Sequence, residues 1–484
     1  MTQFTTKLFA SLCGAAASTL LFIGAANAAL TAPGDVSNAP AAAGDQNEVS
    51  PELKAAFDDF TNMKFDDAVA KLDKIRENDK DMAPAQLILA TWLARIQPAQ
   101  PQAVRQAIEV GVTKNPSDPE AYVILAELNL QNSCVTEAEA LFDKGAVLNS
   151  SFSESAKRKE EIQKRILLGQ AQVLALRGKN DQAIARLNSV LKADDQNIGA
   201  LNLLGLINFN SENYDATIDA YTKARAIQPN LLVPEARLAM MCQQKNTDES
   251  KKLAAKYMKE AIGKYESDPQ TRLVAAQWSL TINRPAQAAQ QADYAIQLLN
   301  KKKSENADDA FVNGLLNEAN LLRGVIALYE KKFTDAEKFF NVVLAESPSN
   351  FAATNNLALA LCEQNDPTKL NKAVEYAQVN VDRFGKQQPE VFSTAAWVMH
   401  KKGQYQECAQ LLQRYVQMTN GQMSPDTAYY LAANMEKQLD SIQDAEQKAN
   451  AKKQALDIIT KTLANPNPFV MRPEAEALKD KLSK

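Results

Sequence analysis

Two abutting stretches decide how this chain folds: KRILLGQAQVLALRGKNDQAIARLNSVLKADDQN at residues 164–197 and IGALNLLGLINFNSENYDATIDAYTKARAIQPNL at residues 198–231. The second carries Leu201, Leu204 and Gly205 in its first half, then Tyr214, Ile218, Tyr221, Ala224 and a closing Pro229. The first matches it with Leu167, Leu174, Gly178, Ala183, Leu187 and Val190. Apolar residues return every three or four positions, so each half reads as an amphipathic helix with one broad buried stripe. Two equal helix–turn–helix units in tandem mark a solenoid, in which a unit buries its apolar face only by stacking on its neighbours.

The period continues outward in both directions. Asn317–Asn350 repeats it with Gly324, Leu328, Phe333, Ala336, Phe340 and Pro348. Upstream, Ala85–Asp118 and Pro119–Phe152 are contiguous, the latter with Tyr122, Leu125, Ala126, Ala138 and Phe142. Downstream, Pro389–Gln422 carries Phe392, Ala395, Ala396, Gly403, Tyr405 and Leu412. Weaker units cover Val49–Met82, Leu232–Pro269, Gln270–Lys303, Phe351–Gln388 and Pro425–Pro466. Small residues such as Gly205, Gly324, Ala126 and Ala396 let paired helices approach, and Tyr221, Phe340, Phe142 and Leu412 fill the space between units. Pro116, Pro229, Pro269, Pro348 and Pro466 follow second helices, where a missing backbone donor ends them. No alternating apolar–polar run reads as a strand, so the fold class is all-α. The pattern resembles the tetratricopeptide repeat (TPR) family over roughly nine-tenths of the chain after its leader, and that resemblance implies a right-handed superhelical solenoid of about ten to eleven units.

Some segments depart from the period. Glu154–Glu161 is a charged insertion expected to lengthen the next helix while remaining a tolerated surface feature. Lys301–Asp309 reads as a solvated loop at a subdomain joint, Asp366-Pro367-Thr368 as a longer turn, and Gln438–Lys453 as polar helix extension. The N-terminus has Lys7, an apolar run from Leu8 to Ala26 and the small-x-small site Ala26-Asn27-Ala28, the pattern of a cleaved secretory signal. The expected organisation is therefore a signal peptide at 1–28, a Pro- and Ala-rich lead-in at 29–48 and an N-terminal repeat array at 49–303. An inter-repeat loop at 304–316, a C-terminal array at 317–466 and a capping helix at 467–484 complete it. The expected location is periplasmic or secreted, with no integral membrane span after signal cleavage.

Composition and constellations narrow the function. The chain has 54 basic and 58 acidic residues, and removing Lys7 with the leader moves the net charge from −4 to −5. Both signs are interspersed, with no basic stripe for nucleic acid. Outside the leader lie Cys134, Cys242, Cys362 and Cys408, read as buried thiols, with a Cys362–Cys408 bridge as the alternative. None has metal-site spacing. His400 is the only histidine, one turn after Trp397 at the inner face, and reads as an exposed polar residue. No nucleophile elbow, phosphate loop or cofactor site is present, and the repeats leave no room for a separate catalytic domain.

What remains is binding. In the family this chain resembles, the first helices of successive units line the concave face. Its inward positions are here Asn202, Leu203, Leu206 and Phe209, then Trp278, then Leu321, Leu322, Val325, Leu328 and Tyr329. Asn355, Asn356 and Leu359 follow, then Trp397, His400, Tyr429 and Tyr430. Family members that grip an acidic peptide terminus use a Lys/Asn/Arg clamp there; only Asn202, Asn355 and Asn356 match it, so the groove reads as apolar with aromatic platforms. The competing reading is that a tight winding packs these side chains against one another. The expected function is a non-catalytic protein–protein interaction scaffold of the bacterial envelope, with a chaperone-like holder of unfolded exported polypeptides as the alternative.

Overall fold

The computed structural model describes residues 50–94 and 101–484; the signal peptide and lead-in expected at 1–48 lie outside the described residues. Among the described residues there are 23 α-helices, one short 3-10 turn at Leu439–Ser441 and no strand. The chain divides into two compact units, one ending at Pro234 and the other running Glu235–Lys484. In the first, helices pair with the next in sequence, as Ala156–Leu176 does with Asn180–Ala193 and Ile198–Asn210 with Tyr214–Ile227. The second repeats this with Ala310–Tyr329 and Phe333–Glu346, Phe351–Cys362 and Pro367–Phe384, Glu390–Lys401 and Tyr405–Met418, and Pro425–Gln438 and Ala445–Ala464. Within each unit, first helices also pack on neighbouring first helices and so line one face.

The turn inside a pair is built the same way again and again. Met63, Ser133, Gly178, Glu212, Asn283, Lys331 and Gly403 each take a left-handed φ between 59° and 80°. The N–H of the following residue then donates back five positions: Lys179 to the Leu174 carbonyl (2.9 Å), Lys332 to Ala327 (2.8 Å), Gln404 to Met399 (2.9 Å). This arrangement satisfies carbonyls that the ending helix leaves open. Five of the seven positions hold a residue with a Cβ, at a cost of roughly 1 kcal/mol each, so the turn is imposed by the packing of its two helices.

That packing is a fit of aromatic rings against bare backbone. A Cβ on Gly205 would stand 2.3 Å from Cε1 of Tyr221, one on Gly324 2.5 Å from Cε1 of Phe340, and one on Gly169 1.9 Å from Cζ of Phe142. All three rings are fully buried. Tyr221 and Phe340 sit against the glycine of their own unit, whereas Phe142 reaches the first helix of the next.

Four expectations are corrected or narrowed. Lys301–Glu305 continues the Pro285–Glu305 helix, and Asp309 caps the next helix by accepting from the Val312 amide (3.0 Å); only 306–309 turn, so 304–316 is not a loop. Lysine and glutamate are good helix formers, and the buried Val312 anchors the restart. The division between compact units accordingly falls at Pro234, not near 304. Asp366-Pro367-Thr368 adds only one residue to its turn, 363–366 against 330–332 or 402–404 elsewhere: Asp366 caps the next helix and Pro367 and Thr368 already belong to it. The polar stretch after Gln438 is interrupted by the 3-10 turn before the Ala445–Ala464 helix begins.

The fourth correction concerns 154–161. The stretch does lengthen the Ala156–Leu176 helix, but it is no passive surface insertion. Arg158, 5% exposed, donates to both oxygens of Asp118 (3.0 and 2.8 Å) and to Glu120 (2.8 Å). Arg165 pairs with Glu120 (2.9 Å) and Glu127 (2.8 Å). Burial pushes the Glu120 carboxyl up, but the Arg165 and Arg158 guanidiniums outweigh it and hold the group below its usual range. Glu154 and Ser155 reach back to Arg76 (2.7 Å) and Asp81 (2.5 Å), tying the insertion to a hairpin more than seventy residues earlier.

Candidate functional site

In the first unit the inward positions are Asn202, Leu203, Leu206 and Phe209 on Ile198–Asn210. Asn202, Leu203 and Leu206 are half-buried, and Phe209 is buried with its ring 6.1 Å from that of Tyr214. This helix keeps partly accessible apolar side chains on the face lined by first helices.

The second unit is different, because its inward side chains pack on one another. Trp278, Leu321, Val325, Leu328, Asn355, Asn356, Trp397, Tyr429 and Tyr430 are buried, and Tyr329 and His400 half-buried. Trp278 donates its indole N–H to Gln243 (3.1 Å). Trp397 lies between the His400 ring (4.7 Å, 10°) and the Tyr430 ring (4.4 Å, 13°), with Tyr429 at 5.5 Å. Its indole N–H donates to Glu363 (2.6 Å), which also holds Lys401 (2.9 Å). His400 is therefore not the exposed residue expected: Nδ1 meets Asn434 Oδ1 at 3.2 Å, and burial depresses its pKa, leaving it neutral at pH 7. Tyr430 is pushed well up by burial, so its phenol stays protonated.

One element of this face had no signal in the repeat pattern. After the Ala445–Ala464 helix, Phe469, Val470 and Met471 are all buried, and they join the same apolar cluster as Leu328, Leu359 and Tyr430. The amides of Met471 (2.9 Å) and Val470 donate to the Asp426 carboxylate. Burial pushes that carboxyl up to about 6. Lys331, in the turn after Ala310–Tyr329, meets Glu474 at 2.8 Å and the Met471 sulfur at 3.4 Å. The triplet Phe469-Val470-Met471 that follows Pro468 was the available clue: three consecutive apolar residues demand cover.

The cysteines are free thiols: Cys242, Cys362 and Cys408 are buried, while Cys134 is only half-buried at the start of Val135–Ser151, and Cys362 does not bridge to Cys408. Burial pushes the thiols of Cys242 to about 11 and Cys408 to about 12. Among the described residues no group of three or more His, Cys, Asp or Glu is placed to hold a metal ion. Among them too, no helix is long and apolar enough to cross a membrane.

Comparison with known proteins agrees with the stacking. The tetratricopeptide repeat family matches residues 168–231. No curated protein matches the chain by sequence. Among solved structures, PilW, a widely conserved type IV pilus biogenesis factor, is similar at 17% identity and a TM-score of 0.30, over 55% of this chain and 98% of that one. Yeast Tom70 is similar at 13% identity and 0.32, over 89% and 95%. YrrB, a TPR protein with an unusual peptide-binding site, is similar at 15% and 0.27, over 42% and 91%. Residues 168–231 match the tetratricopeptide repeat family, and helix pairs with the same turns and the same glycine–aromatic seats recur on either side of them.

Proposed function

We propose that this protein is a non-catalytic interaction scaffold of the bacterial envelope, exported by its N-terminal leader, that holds partner segments on the face lined by its first helices. The tetratricopeptide architecture is an interaction scaffold in general. The observation that carries the reading is that this face already accepts polypeptide: an apolar turn, Phe469-Val470-Met471, lies against the first helices of the second unit. In the first unit the half-buried Leu203 and Leu206 supply the accessible part of the same kind of surface. The export step rests on Lys7, the apolar run from Leu8 to Ala26 and Ala26-Asn27-Ala28.

The test is affinity capture of residues 29–484 from a cross-linked envelope fraction, with wild type and Leu206→Glu side by side. A narrow set of near-stoichiometric partners, lost with Leu206→Glu, is the expected result. A broad spread of unrelated exported proteins would instead favour a chaperone-like holder. Absence of the protein from the envelope fraction would refute the location.

A further inference from the structure

The last segment of the chain makes a contact that closing the stack does not require. Capping is achieved by Arg472–Ser483 alone, whose Ala475, Leu478 and Leu482 are buried beside the Ala445–Ala464 helix. The seven residues before it could pass over the outside. Instead Asn465–Met471 turns inward, its Asn467 amide held by the Asn465 side chain (3.0 Å), and inserts Val470 and Met471 beside Leu328, Leu359 and Tyr430. The contact spans three pairs of helices, since Lys331 precedes Met471 by 140 residues. In a stack whose units touch mainly their neighbours, such a crossing marks a segment bound to the face and not one of its layers.

The way it is bound is that of a ligand. From the face, its backbone is read by the Asp426 carboxylate, which receives the Val470 and Met471 amides, while Arg472 at its own end donates to the Asn465 and Asn467 carbonyls. Two apolar side chains enter the face, and one charged group, Glu474, is caught at the rim by Lys331. The latch is weak, because a partly exposed ion pair contributes only about 0–1 kcal/mol. A void of about 10 Å³, no larger than one water, lies among Leu328, Phe333, Leu359, Glu363 and Tyr430 beneath Val470 and Met471. Other buried rings of this unit fit so closely that Phe340 leaves no room for a methyl group on Gly324.

We propose that residues 466–474 are a displaceable internal ligand of this face, and that the partner segment binding there is a tight turn at the start of a helix, with two adjacent apolar side chains and a carboxylate three residues further on. The proposal rests on the scaffold reading above and adds the chemistry of the partner and the device that withholds the site.

The probe is a fluorescent peptide of residues 465–477, NPNPFVMRPEAEA, titrated by anisotropy against the full chain and two full-chain variants. Val470→Asp/Met471→Asp ejects the segment by placing carboxylates against Asp426. Glu474→Lys opens only the rim latch and leaves the core untouched. Hydrogen exchange at 465–474 reports release in each case. The expected result is faster exchange in both variants, and peptide binding about tenfold tighter than wild type for the double variant and several-fold tighter for Glu474→Lys, because the competent fraction rises. The exchange of Lys331→Glu/Glu474→Lys should return toward wild type. Fast exchange with peptide affinity unchanged in both variants would overturn the proposal. So would a peptide with Ser at its Val470 and Met471 positions binding as tightly as the parent. Neither result touches the scaffold reading, which the envelope capture tests separately.

Discussion

Two glycines of one helix should respond oppositely to the same substitution. Gly314 and Gly324 both lie on Ala310–Tyr329, ten residues apart. A methyl group on Gly314 meets nothing within 4 Å, whereas one on Gly324 would stand 2.5, 2.8 and 2.9 Å from three carbons of the Phe340 ring. In either place, alanine removes the conformational entropy that glycine loses in a helix, a gain of about 0.5–1 kcal/mol. At Gly324 that gain is opposed. Carbon–carbon contacts settle near 3.5–4.0 Å, so ring and helix must separate by about 1 Å. Phe340 is fully buried beside Ala336 and Val343 and cannot swing clear. Overpacking of this kind costs about 1–3 kcal/mol or more. Gly314→Ala is therefore expected to stabilise by up to about 1 kcal/mol and Gly324→Ala to destabilise by about 1–2 kcal/mol, after its propensity gain is counted. Repeat arrays open unit by unit, so native-state hydrogen exchange of the 326–329 amides is the direct measurement, with the urea midpoint beside it. Phe340→Leu should relieve Gly324→Ala, a coupling of about 1 kcal/mol in a double-mutant cycle. If Gly324→Ala stabilises as much as Gly314→Ala, the ring yields at no cost and the glycine–aromatic seat is not what spaces these helices.

Three further outcomes are expected. Arg158→Met leaves Asp118 without its buried partner and Glu120 with Arg165 alone, so it should destabilise the first unit by about 3–5 kcal/mol, read as faster exchange across 118–131 and 156–176. Asp426 titrates near 6 in the fold against 3.8 when free, so the native state binds the extra proton. Its contribution to stability is present below about pH 4, falls as pH rises through 6, and leaves a cost of about 3 kcal/mol at pH 8. Asp426→Asn, flanked by Lys331 and Glu474, should raise the urea midpoint at pH 8 and match wild type at pH 4; equal midpoints at both would contradict the burial argument. Thiol alkylation of the native protein followed by peptide mapping should label Cys134 within minutes and leave Cys242, Cys362 and Cys408 protected until denaturant is added.

The repeat was legible because it is written twice, in period and in size. Gly205 and Gly324 read from sequence as points of close approach, and the atoms stand that way, but Tyr221 and Phe340, read as filling the space between units, seat against the glycine of their own unit, and only Phe142 reaches the next. Legibility fails where a contact is neither local nor periodic. Nothing near Arg158 announces that its carboxylates lie forty residues back, and a run of eight mostly charged residues looks solvated whether or not one of them is buried. The lysines of 301–303 misled for the opposite reason: polar side chains on an exposed helix and on a loop are the same residues, and only the caps at 306 and 309 distinguish them.

The binding face separates these two kinds of information most clearly. Which side chains turn inward follows from helical spacing together with the family resemblance, which puts first helices on the concave face, so the positions of Trp397, Tyr430 and Asn355 could be named in advance. Whether they meet a partner or each other depends on how far one unit is rotated against the next. Trp397 stacks on His400, one turn along its own helix, but equally on Tyr430, one unit ahead, and that second contact exists only at this inter-unit angle. Once the rings close, the face loses its open groove and keeps a shallow apolar patch with one buried carboxylate at its end. Asp426 there receives the Val470 and Met471 amides at the turn that starts the Arg472–Ser483 helix, donors that a helix interior has already committed and that a turn or a helix start leaves open. An uninterrupted helix offered to this patch would leave the carboxylate without donors, so what the present occupant matches is a turn with two open amides.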